Sequence, residues 1–249
     1  MHSDVPTNVN HRALLLGQTV AVVGGSSGIG LAVAARAKDL GANLILIARD
    51  RDRLQVAGDS IGGARLVAAD LSDTAATHLM FEGVGRLDHL VITAGTAQLL
   101  PLKAQTANEL LQVMTERVVG PLLAVQAAAA IMPPHGSITL TSAQLATRPI
   151  SVGAVMAGAV AAIEAITTAL ALELTPVRVN AVAPGMVDTP LLERLLGDDK
   201  HQVFVRTAAD LPAKRVGAPD DVAQAVLFLM TNSFTTGEVL HVDGGGRWI

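Results

Sequence analysis

Val20-Ala21-Val22-Val23-Gly24-Gly25-Ser26-Ser27-Gly28-Ile29-Gly30 is the stretch whose reading decides the fold. An apolar run enters a glycine-rich turn, and an alanine-rich helical pattern from Leu31 to Leu40 follows at once. A buried strand, a tight turn and a helix aimed back at that turn make a place for an anion. The turn's backbone N–H groups and the helix dipole both favour negative charge there, most often the pyrophosphate of a dinucleotide. Glycine is needed because a Cβ would hold the phosphate away from the backbone. The spacing is Gly24-x3-Gly28-x-Gly30 rather than the commoner G-x-G-x-x-G. Taken alone, such a run also reads as a plain strand–helix connection.

Outward from this turn, β-branched runs alternate with longer helical segments. Strands are expected at Thr19–Val23, Leu44–Ala48, Arg65–Ala68, His89–Thr93, Ser137–Thr141, Arg178–Ala181 and Glu238–Val242. Helices are expected at Gly28–Leu40, Arg51–Ser60, Asp73–Val84, Ala107–Met132, Gly153–Leu174, Leu191–Leu196 and Ala218–Met230. Continuous apolar strands separated by helices give an α/β fold, a doubly wound parallel sheet of about seven strands covered on both faces. Ligands of such sheets bind at the carboxyl ends of the strands. Residues 1–12 read as a flexible N-terminal tail and 13–249 as one domain.

Composition narrows the classes. Half of the 249 residues are apolar but only 2% are aromatic, so Ala, Val, Leu and Ile must fill the core. The absence of cysteine excludes disulfides and thiolate chemistry and fits a cytoplasmic protein. A net charge of −4 without a basic block gives no footprint for nucleic acid. The apolar stretches Val118–Met132 and Ile150–Ile163 are shorter than the roughly 20 residues a membrane span needs, so no membrane partner is expected.

Further landmarks arrive in a set order: Ala69-Asp70-Leu71, Val91-Ile92-Thr93-Ala94-Gly95, Leu140-Thr141-Ser142, Arg178-Val179-Asn180-Ala181-Val182-Ala183-Pro184-Gly185 with Thr189 beyond, and Val242-Asp243-Gly244-Gly245. As an ordered set, across about residues 17–246, they resemble the short-chain dehydrogenase/reductase family. The resemblance implies a Rossmann-type fold and a nicotinamide dinucleotide. Gly24, Ser26, Ser27, Gly28, Ile29 and Gly30 would line its pyrophosphate, and Asp70 and Leu71 its adenine. Thr93, Ala94 and Gly95 stand where the family has Asn-Ala-Gly, and Pro184, Gly185, Val187 and Thr189 would pass along the nicotinamide half. Asp70 also reads as a helix N-cap, and both roles can hold together.

Cofactor preference follows from the end of the second strand. NAD-preferring relatives usually carry an acid there that accepts from ribose hydroxyls. This chain has Ala48 followed by Arg49, and an arginine pairs with a 2′-phosphate. The expected cofactor is NADP(H). Asp50, ahead of Arg51-Asp52-Arg53-Leu54, reads as the N-cap of the next helix.

The family's proton chemistry is missing. Its members usually use a Tyr and, four residues later, a Lys on the long helix. The tyrosine moves the substrate proton, and the lysine lowers the tyrosine's pKa. This chain has no tyrosine at all, and no lysine lies between Lys103 and Lys200. The best register puts Met156 and Val160 at those positions, and both are expected to line the pocket passively. The family's helix asparagine falls on Arg117, and only Ser142 remains of the usual set. Arg117 can polarise a carbonyl, hold a carboxylate or fill the charge gap left by the lysine. It can equally make a salt bridge to Glu116, Glu109 or a partner subunit. Arg148, in the loop after Ser142, is a second candidate of that kind. Among seven histidines only His201, in the segment that would cover a substrate, lies near the chemistry, and a solvated loop histidine is its plainer reading. No grouping has metal-ligand spacing.

These observations support an NADP(H)-dependent oxidoreductase with a non-standard proton path through Ser142 and Arg117. Its substrate would be a small carbonyl compound, alcohol or enone. The alternative is a non-catalytic dinucleotide-binding protein, a sensor or the partner of an active relative. The small-residue faces of Gly153–Leu174 and Ala107–Met132 point to a homo-oligomer, a dimer or a tetramer. A second contact is expected at Val239–Ile249 around Trp248.

Overall fold

The structure, a computed structural model, describes residues 14–97 and 99–249. The expected tail, residues 1–12 with His2 and His11, lies outside the described residues. Seven parallel strands form one sheet in the order β3-β2-β1-β4-β5-β6-β7. They are β1 Thr19–Val23, β2 Asn43–Ala48, β3 Arg65–Ala68, β4 His89–Ile92, β5 Ser137–Thr141, β6 Arg178–Pro184 and β7 Val239–Val242. Alternating residues of β1 feed the two cores. Val20 and Val22 pack with α1 (Gly28–Asp39), α2 (Arg51–Ser60) and α8 (Pro219–Thr231). Ala21 and Val23 pack with α4 (Gly120–Ala129) and α5 (Ala154–Glu173) on the other face. The result is three layers, helix–sheet–helix, as a parallel sheet buried on both sides requires. An arginine fork from Arg36 to Asp220 ties α1 to α8.

Chain order reverses between β1 and β4, which are neighbours in the sheet. The crevice outside their carboxyl ends is where a doubly wound fold receives a ligand.

Four expectations need correction. Asp73–Val84 is not a helix but turns around a short 3-10 segment, Thr77–Phe81. The side chains of Asp70 and Asp73 take the N–H groups of Ser72 and Ala76, a local alternative to the helical ladder. Ala107–Met132 is not one helix: α3 (Ala107–Met114) passes through a π-turn, Thr115–Val119, into α4. Pro121 has no N–H for a continuous ladder, and Gly120 sits so close to the Leu71 carbonyl that a Cβ would lie 2.2 Å from it. A helix the sequence did not announce, α7 (Lys200–Asp210), follows α6 (Pro190–Leu196) after a 3-10 turn, Gly197–Asp199. Finally, α5 is a full 20 residues with a mean hydropathy of 1.9 over its most apolar part, long and apolar enough by composition to cross a bilayer. Here its inner face, with Ile163 and Ala171, packs on the sheet instead.

Candidate dinucleotide and substrate site

One pocket occupies the crevice at the β1–β4 switch point. Its floor is the glycine turn: Gly24, Ser26, Ser27, Gly28, Ile29 and Gly30 all line it. Gly24 and Gly28 hold φ angles of 90° and 53°, open to glycine at little cost. Gly30 is constrained by contact, since a Cβ there would stand 2.2 Å from the Gly24 carbonyl. The first turn of α1 carries no acid, and the Ser27 side chain makes no cap bond. The helix's leading N–H groups therefore face the pocket without a side-chain acceptor.

The walls come from three more strand ends. Ala48, Arg49, Asp50 and Arg53 line the pocket beyond β2, Ala69, Asp70 and Leu71 beyond β3, and Thr93, Ala94, Gly95 and Thr96 beyond β4. Asp50 caps α2 by accepting the Arg53 N–H at 3.0 Å, as the sequence suggested. Asp70 caps a turn rather than a helix, accepting the Ser72 N–H at 2.9 Å. Arg49 stands 3.7 Å from Asp70 with most of its side chain in solvent. Thr189, the N-cap of α6, closes the pocket over Gly28 with Pro190, Leu191 and Arg194.

The other expected residues are elsewhere. Pro184 ends β6 as a buried residue. Gly185 is covered by Gln144 and Asp243, which leave no room for a Cβ. Val187 bridges to Gly217 and borders a second cavity, toward β7, with Leu211, His241 and Asp243. None of the three lines the dinucleotide pocket. Met156 and Val160, expected to line a pocket, are sealed in an apolar cluster with Val113, Val118 and Ala159. Leu99, Met114 and Leu145 pack around that cluster.

Ser142 is buried at the end of β5. Its hydroxyl lies 3.0 Å from the Val160 carbonyl and 2.8 Å from the carboxylate of Glu164, both acceptors on α5. Arg117 turns the other way. Its Nε and Nη2 donate to the Thr96 carbonyl, and the guanidinium lies against Gly95. Burial pushes Arg117 down to about 10, while Glu116 pulls the other way. Among the described residues it pairs with neither Glu116 nor Glu109, so a salt bridge within the chain is not its role. No hydrogen bond joins it to Ser142. Arg148 anchors the C-terminal turn through the Gly246 carbonyl at 2.8 Å, and His201 is an exposed residue of α7.

Sequence reasoning missed Glu164 and Glu116. Glu164 was legible as the one charge in the 156, 160, 164 stripe of a helix whose only other charge is Glu173. Glu116, buried in the pocket wall, accepts from Thr96 and from Gln112 at 2.9 Å. Nothing in the local pattern separates it from a solvated helix acid. Among the described residues no His or acid cluster suits a metal ion.

The sequence model of a family described as enoyl-(acyl carrier protein) reductase matches residues 23–246. A short-chain dehydrogenase/reductase of Stachybotrys chlorohalonatus, ATR9, is 33% identical over 92% of this chain and 96% of its own. The chain is a short-chain dehydrogenase/reductase. The family's fold holds throughout: the MalC reductase/Diels–Alderase of Malbranchea aurantiaca superposes with a TM-score of 0.90 over 96% of this chain and all of its own, at 29% identity. A small-chain dehydrogenase solved in complex with NADPH superposes with a TM-score of 0.81 at 32% identity, covering 93% and 99%. Relatives of this short-chain dehydrogenase/reductase are oxidoreductases, and the chain is of that type.

Proposed function

We propose that this protein is an NADP(H)-dependent oxidoreductase acting on a small carbonyl compound, alcohol or enone in the cytoplasm. The observation that carries the reading is the pocket wall at the ends of β1 to β4, where the adenosine and pyrophosphate would lie, with Arg49 and not an acid leading out of β2. A solved relative captured with NADPH supports the same choice. The glycine turn and the α1 N-terminus would hold the pyrophosphate, Asp70 and Leu71 would border the adenine, and Arg49 would meet the 2′-phosphate. The bound cofactor supplies or accepts a hydride, which requires positioning more than acid–base strength.

Reduction of a carbonyl also needs a proton on oxygen. Ser142 gives its hydroxyl proton to that oxygen and regains one from solvent water, with the Glu164 carboxylate 2.8 Å away orienting its hydroxyl. Arg117 contributes a desolvated positive charge beneath the Gly95 turn. Titration with NADPH and NADH, followed by a turnover screen over ketones, aldehydes and enones, tests this. Tight NADPH binding and a turnover lost in Ser142→Ala and Glu164→Gln, with cofactor affinity kept, are expected.

One observation favours the second reading, a dinucleotide-binding protein without turnover. The Met156 and Val160 side chains are packed away in an apolar cluster, where neither reaches the dinucleotide pocket. Saturable NADPH binding with no turnover on any substrate class would select it.

The assembly we propose is a homo-oligomer. Leu172 on α5 is 78% exposed, Phe234 98% and Trp248 76%, large apolar side chains that a second copy would cover. Light scattering should report a dimer or tetramer, and a stable monomer of 25.6 kDa would end the idea.

A further inference from the structure

The dinucleotide pocket is lined by three arginines, and they are not equivalent. Arg49 stands 3.7 Å from Asp70, and Arg53 stands 3.4 Å from Asp50. Arg194 has no carboxylate within 4.0 Å and no hydrogen bond among the described residues. It projects from α6, whose first residues are seated on the glycine turn. The Thr189 side chain lies 3.4 Å from where a Cβ on Gly28 would be. Pro190, Leu191 and Arg194 share one flank of α6 by their spacing of three and four, and all three line the pocket.

A diphosphate brings two negative charges to this turn. The α1 N-terminus answers with about half a charge, and no side chain of the glycine turn adds a cation. We infer that Arg194 is a cofactor-binding residue, reaching from α6 to the pyrophosphate and thereby pinning α6 over the bound dinucleotide. The inference rests on the dinucleotide reading of the pocket. It links to the bound dinucleotide both α6 and α7, which Lys200 ties back to Asp188 at 2.8 Å.

The experiment uses the full chain and calorimetric titration with NADPH, ADP-ribose and 2′-AMP. ADP-ribose has the diphosphate without a 2′-phosphate, and 2′-AMP has the reverse. Arg194→Ala should weaken NADPH and ADP-ribose by about tenfold or more, the ordinary worth of a charge-assisted hydrogen bond, and leave 2′-AMP unchanged. Arg194→Lys should recover part of the loss. Because Arg194 is exposed and makes no internal bond, thermal melting should not move. Unchanged affinity for all three ligands, or an equal loss for all three, overturns the inference. A wild-type chain that binds none of them overturns the dinucleotide reading itself and this inference with it.

Discussion

The two halves of the crevice are built on different terms. At β1, β2, β3 and β4 the strand ends expose backbone donors, glycines and charged side chains around an open pocket. At β5 and α5 the corresponding ground is dry: Ser142 is buried against Glu164, and Met156 and Val160 belong to an apolar cluster. The first half kept the requirements of binding a phosphorylated ligand. The second exchanged a titratable pair for packing and retained one hydroxyl–carboxylate contact. Cofactor binding and proton transfer are thus separable in this fold, because they are carried by different strands.

The largest effect should come from forcing the second half back toward the family pattern. Val160→Lys buries an ammonium in an apolar cluster, which should cost about 4 kcal/mol or lower the lysine's pKa by several units. For a chain of this size that is a loss of roughly 10 °C in Tm by calorimetry. A melting point unchanged from wild type would mean that position 160 opens to the pocket, and the contrast between the halves would fall.

A control for pH lies at the amino ends of the strands, opposite the pocket. His89 is buried at the amino end of β4, between the Ser137 hydroxyl at 2.8 Å and the Gln18 side chain at 2.6 Å. Burial pushes it down to about 4 despite the neighbouring Asp88. Between that value and the unfolded value near 6.5 the unfolded chain holds the extra proton. This contribution is therefore complete above pH 6.5 and is lost as pH falls toward 4, by about 3 kcal/mol. Urea unfolding from pH 4 to 7 should trace that loss, and His89→Gln should flatten it. A slope that survives the substitution would assign the acid sensitivity to another group.

A smaller effect is expected in the first half. Arg49→Ala should cut the preference for NADPH over NADH by about tenfold or more while leaving NADH affinity near wild type, since a charge-assisted contact to phosphate is lost. An unchanged preference would remove Arg49 from 2′-phosphate recognition.

The same contrast explains what the sequence made legible. The glycine turn announces itself because φ and close approach are local demands: Gly24, Gly28 and Gly30 meet them within one turn. Asp50 as a cap and the strand ends at Ala48 and Ala68 are equally local. The absence of a proton pair was readable from composition alone. The fate of Met156 and Val160 was not, because an apolar residue on a helix looks the same lining a pocket or filling a core. The partner of Ser142 lies 22 residues away, and only tertiary packing brings Glu164 to it. The close approach of Gly120 to the Leu71 carbonyl, 49 positions upstream, is likewise something no helical periodicity records.

The most direct test of the account is deuterium transfer from C4-deuterated NADPH, supplied separately as each stereoisomer, to a panel of ketones, aldehydes and enones, read by product mass. The account predicts that one stereoisomer delivers deuterium to at least one substrate class and that Ser142→Ala suppresses the transfer without weakening NADPH binding. Saturable NADPH binding with no deuterium in any product would contradict it.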